Sequence, residues 1–114
     1  MTYSSGIHAP GVSLKDAQLA KYDRLISKAR LTSASHVLEI GCGWGGFAAR
    51  AVERTGCRVT GVTISTEQLD YAIQRMETLG YSDRVNIVFC DYRNISNTFP
   101  RQSFDAVISI EMLE

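Results

Sequence analysis

Val37-Leu38-Glu39-Ile40-Gly41-Cys42-Gly43-Trp44-Gly45-Gly46 decides the fold. Its first four residues form a short apolar run rich in strand formers, and the next six hold four glycines. Phe47 to Thr55 then carries a helical pattern that Gly56 ends. Glycines between a strand and a helix let the backbone turn sharply and let a ligand approach the main chain. The helix start that follows exposes N–H groups suited to an anionic or polar ligand. A fold with no use for so many glycines would only be weakened by them.

The same alternation continues on either side. Residues 1–12 read as a loop, because Ser4, Ser5, Gly6, Pro10 and Gly11 oppose regular structure. Ser13 is a fair N-cap, Asp16 suits the helix start, and a helix is predicted to about Arg30. Tyr22, Leu25, Ile26 and Ala29 form its buried stripe. Beyond the glycine loop, Arg58 to Val62 is a second strand, and Ser65-Thr66-Glu67-Gln68 has the form of a capping box. Leu69, Ala72, Ile73 and Met76 give the next helix its apolar face, and Gly80 ends it. Val85 to Phe89 is a third strand; after a loop, Phe104 to Ile110 is a fourth. The alternation predicts an α/β fold whose parallel, doubly wound sheet is covered on both faces. Only its first four strands are present, and the fourth, apolar at Ala106, Val107, Ile108 and Ile110, is expected as an uncovered edge. The chain stops where a second half-sheet would begin, so 1–114 is read as the N-terminal part of one larger domain. In it, 1–12 is a covering segment, 13–31 a leading helix and 36–114 the half-sheet.

Composition narrows the function classes. Lys+Arg and Asp+Glu both number 12, so no net field draws the chain to nucleic acid. Lys21, Arg24, Lys28 and Arg30 are read as a solvated helix face. Cys42, Cys57 and Cys90 suggest neither a disulfide framework nor a metal site, but small core residues in a reducing compartment. With no signal peptide and no span-length apolar run, the expected location is cytoplasmic, with any membrane contact peripheral.

The glycine loop fits two templates. Gly41, Gly43 and Gly46 satisfy the dinucleotide pattern G-x-G-x-x-G. Glu39, Gly41, Gly43 and Gly45 satisfy acid-x-G-x-G-x-G, the first motif of class I methyltransferases. Context separates them. A dinucleotide site wants an acid at the end of the second strand for the ribose, and that place reads Val62-Thr63-Ile64-Ser65. Glu39, at the end of the first strand, suits a cationic ligand and can sit near the amino group of a methionine moiety. A nicotinamide-binding oxidoreductase domain is therefore the alternative reading, and a cofactor-binding piece without catalysis a third. Asp91, after the third strand, can accept an adenine amino group or serve simply as a turn former. Gln68 can reach a ribose or complete the capping box, but not readily both.

Several segments together resemble the cyclopropane-fatty-acyl-phospholipid synthase family, which includes the mycolic acid cyclopropane synthases. They are Tyr3-Ser4-Ser5, the loop from Val37 to Gly46, Gly61-Val62-Thr63-Ile64-Ser65-Thr66-Glu67-Gln68, Cys90-Asp91-Tyr92-Arg93 and the stretch Phe104 to Glu114. The match is collinear over almost the whole chain. The resemblance implies a Rossmann-like class I methyltransferase fold and S-adenosyl-L-methionine (SAM) as cofactor. It implies that Gly41 and its neighbours hold the methionine part and that Tyr3 and Ser4 close over its carboxylate end. Thr63 and Gln68 would serve the ribose, and Asp91 and Tyr92 would flank the adenine. Glu114 would match a glutamate that helps hold bicarbonate, and Ser5 stands where the family often has a cysteine at that ion. The implied reaction adds a methyl or methylene group to the double bond of an unsaturated phospholipid or other acyl lipid. The sulfonium methyl is the electrophile, and bicarbonate is the base that lets the ring close; a water-poor site protects the acyl cation. Relatives that methylate without ring closure share the pattern. The rest of the bicarbonate shell and the acyl tunnel would lie beyond Glu114, so these 114 residues are not expected to catalyse alone.

Overall fold

The computed structural model describes residues 14–99 and 104–109. Its elements are α1 (Leu14–Lys28), β1 (His36–Ile40), α2 (Gly46–Thr55), β2 (Arg58–Thr63), α3 (Thr66–Leu79), β3 (Val85–Phe89), a 3₁₀ turn (Tyr92–Asn94), α4 (Ile95–Thr98) and β4 (Ala106–Ile108). The strands form one parallel sheet in the order β3-β2-β1-β4. The N-cap expected at Ser13 lies outside the described residues.

The sheet is covered on both faces as expected, and topology sets how that cover is divided. From β1 to β2 to β3 the chain steps in one direction, so right-handed crossovers drop α2 and α3 on the same face. There Tyr22 and Ile26 of α1, Phe47, Ala48 and Ala51 of α2, and Ala72 and Met76 of α3 pack with Val37, Val59, Val85 and Ile87. Among the described strands, the step back from β3 to the far side of β1 is the one reversal. Its connecting segment covers the other face, where Ile95, Phe99 and Phe104 lie against Leu38, Val62 and Cys90. That segment was expected as a loop, but it folds a 3₁₀ turn and α4 because Ile95 and Phe99 have an apolar surface to meet. β4 spans Ala106–Ile108, shorter than Phe104 to Ile110, and among the described residues it pairs with β1 alone. Val107 is 60% exposed on it.

Two details of the helices also differ. α1 ends at Lys28: Leu31 N–H reaches back to Ile26 O at 3.2 Å while Arg30 takes a left-handed φ of 55°. On α3, Ala72 and Met76 are buried and Leu69 partly so, but Ile73 sits at the flank and is exposed. Arg24, Lys28 and Arg30 are exposed, as a solvated face requires. Cys42, Cys57 and Cys90 are buried and none is in a disulfide among the described residues, and burial pushes the Cys57 thiol up from its ordinary value.

One ion pair ties α1 to α2. Arg50 grips Asp23 with Nε and an Nη, both at 2.8 Å, and donates to Glu53 at 2.8 Å as well. The Arg50 hydrogen bond outweighs burial and holds the Asp23 carboxyl below its ordinary value of 3.8. Asp23 is about one-third exposed, so a double-mutant cycle of Arg50→Ala with Asp23→Asn should give a coupling of about 0.5–1 kcal/mol at neutral pH. A carboxyl depressed by folding stabilises above its unfolded pKa and loses that effect as pH falls through the folded one. The coupling measured by chemical denaturation should thus shrink below pH 3.8 and then vanish. A coupling that is flat with pH would show the pair to be idle.

Candidate functional site

The carboxyl ends of the strands bring the sequence candidates together. Register aligns Glu39 with Gly61 and Ile40 with Val62, then Thr63 with Phe89, so the segments after β1, β2 and β3 share one edge. The glycine loop leaves β1 there and folds over β2. Val62 O accepts from both Gly41 N–H at 3.0 Å and Cys42 N–H at 2.9 Å. Gly41 and Gly43 take left-handed φ of 72° and 57°, a conformation that side chains disfavour.

Gly45 is left-handed too, at φ 89°, and it and Gly46 are in addition closely packed. A Cβ on Gly45 would lie 2.9 Å from Met76 Cε, and one on Gly46 would lie 2.8 Å from the Tyr22 hydroxyl. Part of the loop's glycine content is therefore demanded by packing against α3 and α1. Gly45 is also the N-cap of α2 and, as a glycine, brings no side-chain cap of its own. Arg75 donates to Trp44 O at 3.2 Å and the Trp44 ring meets Tyr71 edge-on at 5.3 Å, which anchors the outer side of the loop to α3.

Glu39 is 1% exposed at the end of β1. It has an interaction elsewhere in the chain, yet its Oε1 accepts no hydrogen bond from the described residues. A buried carboxylate oxygen at the mouth of a glycine loop fits a cationic amino group. Thr63 is 4% exposed at the end of β2. Its hydroxyl donates to Gln68 Oε1 at 3.1 Å and accepts from Ser65 N–H at 3.1 Å. Ser65 Oγ caps α3 by accepting from Gln68 N–H at 3.2 Å. The capping box is thus half made: Thr63 has taken the Ser65 N–H that the Gln68 side chain would otherwise reach.

Asp91 behaves as a turn former. Its Oδ1 accepts from Arg93 N–H at 2.9 Å and Nε at 3.2 Å, and its Oδ2 from an Arg93 Nη at 2.7 Å. The Arg93 guanidinium holds its carboxyl down at about 2. The carboxylate keeps spare lone pairs for a further donor. Tyr92 lies in the 3₁₀ turn, and its side chain is outside what the structure describes. Tyr3, Ser4, Ser5 and Glu114 lie outside the described residues as well.

Gly61 was missed as a builder of this site. A Cβ there would stand 2.8 Å from Cys42 Cβ, so glycine in mid-strand is what lets the loop lie on β2. The signal was present: a glycine inside Val59-Thr60-Gly61-Val62 marks a close backbone approach. A cavity of about 350 Å³ lies elsewhere, at the amino ends of the strands, lined by His36, Arg58, Thr60, Arg84 and Asn86 among others. There burial, and then Arg58, push the His36 imidazole below 6.5.

A parallel half-sheet in the order 3-2-1-4, with a glycine loop turning into α2, is the class I methyltransferase architecture. A solved coclaurine N-methyltransferase bound to N-methylheliamine and SAH superposes with a TM-score of 0.81 at 25% identity, over 95% of this chain and 31% of that one. The family model for mycolic acid cyclopropane synthetase matches residues 1–114, and the chain belongs to that family. It is 37% identical to the cyclopropane-fatty-acyl-phospholipid synthase of Escherichia coli over 100% of its own length and 28% of that protein's. It is 44% identical to tuberculostearic acid methyltransferase UfaA1 of Mycobacterium tuberculosis over 89% of its length and 22% of that protein's. The chain thus spans about a quarter of the length of these curated relatives. None of the described helices is long and apolar enough to cross a membrane.

Proposed function

We propose that this chain forms the cofactor half of a SAM-dependent enzyme that modifies the double bond of unsaturated lipid acyl chains. One observation carries the reading: the glycine loop, the Thr63–Gln68 pair and the Asp91 turn stand at the adjacent carboxyl ends of β1, β2 and β3. That is the ligand edge of a doubly wound sheet. The family and the names of its relatives supply the lipid. SAM would supply an electrophilic methyl group, which a weakly nucleophilic alkene requires.

The chain's own residues divide the binding. Gly41, Gly43 and Gly45 let main-chain amides approach the methionine part, and Glu39 offers its carboxylate to the amino group. Gln68 serves the ribose. Asp91 and Tyr92 flank the adenine, Asp91 through lone pairs that Arg93 leaves over. Tyr3 and Ser4 close the methionine end, and Ser5 and Glu114 hold a bicarbonate beside the acyl chain. A lipid substrate calls for contact with the membrane surface rather than insertion. The nicotinamide alternative loses support at the end of β2, where the ribose-facing position is Thr63 and not a carboxylate.

Calorimetric titration of the chain with S-adenosylhomocysteine (SAH), with NADH as control, tests the reading. Saturable binding of SAH alone is expected. Binding of NADH alone would overturn it, as would binding of neither by a sample with a cooperative melting transition.

A further inference from the structure

We propose that Thr63 is a positioning residue: its buried hydroxyl fixes the side-chain amide of Gln68 so that Nε2 is presented as a hydrogen-bond donor to the cofactor's ribose. This rests on the cofactor reading above and changes the part Thr63 plays in it. The family resemblance gives Thr63 and Gln68 parallel duties at the ribose. The geometry puts them in series.

A threonine hydroxyl has one proton and two lone pairs. Here the proton goes to Gln68 Oε1 at 3.1 Å and one lone pair takes Ser65 N–H at 3.1 Å. Thr63 has therefore no proton left to offer a ligand. The amide orientation follows from the same count. With Nε2 turned toward Thr63, the hydroxyl proton of a residue only 4% exposed would lose its acceptor, at a desolvation cost. With Oε1 turned toward it, the Thr63 hydroxyl has both an acceptor for its proton and a donor to its oxygen. The two N–H donors of Gln68 Nε2 then make no hydrogen bond to any described residue and remain for a partner, and ribose hydroxyl oxygens are suitable acceptors. The backbone supports the arrangement at both ends. Cys90 N–H donates to Thr63 O at 3.0 Å, which fixes the strand end, and Ser65 Oγ accepts Gln68 N–H at 3.2 Å, which fixes the first turn of α3.

The test is calorimetry on the full chain with SAH and its 2′-deoxy and 3′-deoxy ribose analogues. Wild type should bind one analogue about five- to tenfold more weakly than SAH, the worth of one hydrogen bond. Thr63→Val and Gln68→Ala should each bring that ratio close to one, and the double variant should add nothing further. Thr63→Ser, which keeps the hydroxyl, should restore the ratio. A purely structural role predicts another pattern: Thr63→Val weakens all three ligands alike and keeps the wild-type ratio, which would overturn the proposal. Failure of Thr63→Ser to restore the ratio would also overturn it. Gln68→Ala, on a partly buried position, keeps the test informative if Thr63→Val folds poorly. Wild type that binds SAH without discriminating the analogues would sink the donor role alone. Wild type that is folded and does not bind SAH would sink the cofactor reading beneath it.

Discussion

Gly43→Ala should weaken SAH binding by more than tenfold and Gly43→Val should abolish it, while Gly80→Ala should bind as wild type does. Gly43 holds a φ of 57° and Gly80 one of 79°, so both substitutions impose left-handed strain of about 1–2 kcal/mol on a side chain. They differ in place. Gly80 closes α3 with nothing within 4 Å of its would-be Cβ. Gly43 sits midway between β1 and the glycine-capped start of α2, where a backbone shift redirects the amides proposed to meet the cofactor. A valine, branched at Cβ, is still less tolerant of positive φ. Melting temperatures should fall by a few degrees in both alanine variants. If SAH affinity dropped equally in both, binding would be tracking global stability and the glycine loop would not be the site.

The parallel doubly wound sheet followed from sequence because short strand-forming runs alternated with helical patterns, and right-handed crossovers leave few topologies for such a chain; the order β3-β2-β1-β4 came from the structure. Element ends were harder. Arg58–Thr63 runs one residue past the predicted strand because Cys90 N–H pairs with Thr63 O, a contact between segments far apart in sequence. α4 escaped notice because its four residues carry no periodicity, only Ile95 and then Phe99 at the C-cap, which matter once Leu38 and Val62 are beneath them. At the site, the residue types were legible and their division of labour was not. Ser65-x-x-Gln68 matches a capping box, but whether Gln68 turns back depends on Thr63, whose hydroxyl intercepts the Ser65 amide. Likewise the four loop glycines look alike in sequence. Only the structure separates Gly41, Gly43 and Gly45, which take left-handed φ, from Gly46, where a Cβ would meet the Tyr22 hydroxyl.

Gly61→Ala should destabilise the fold by about 2 kcal/mol and lower the melting temperature by roughly 10 °C. Two effects oppose each other here. Alanine should gain up to about 1 kcal/mol over glycine in a strand interior, by restricting the unfolded chain. Against this, its Cβ would stand 2.8 Å from Cys42 Cβ and 3.1 Å from Cys42 Sγ, and 3.2 Å from Ile87 Cδ1. Ile87 can yield, because its Cδ1 ends a flexible side chain. Cys42 cannot, because the nearest atom is its Cβ, and its N–H is bonded to Val62 O at 2.9 Å. The clash wins, and two consequences distinguish it from a general loss of packing. Cys42→Ala in the Gly61→Ala background should give no rescue, since it removes the sulfur and leaves the closest carbon. SAH affinity should fall more steeply than the shift in stability alone accounts for, because lifting Cys42 off β2 also loosens Gly41, which shares the Val62 carbonyl. A Gly61→Ala chain as stable as wild type and equally able to bind SAH would mean that the loop is not seated on β2, and that its conformation is set by the glycines alone.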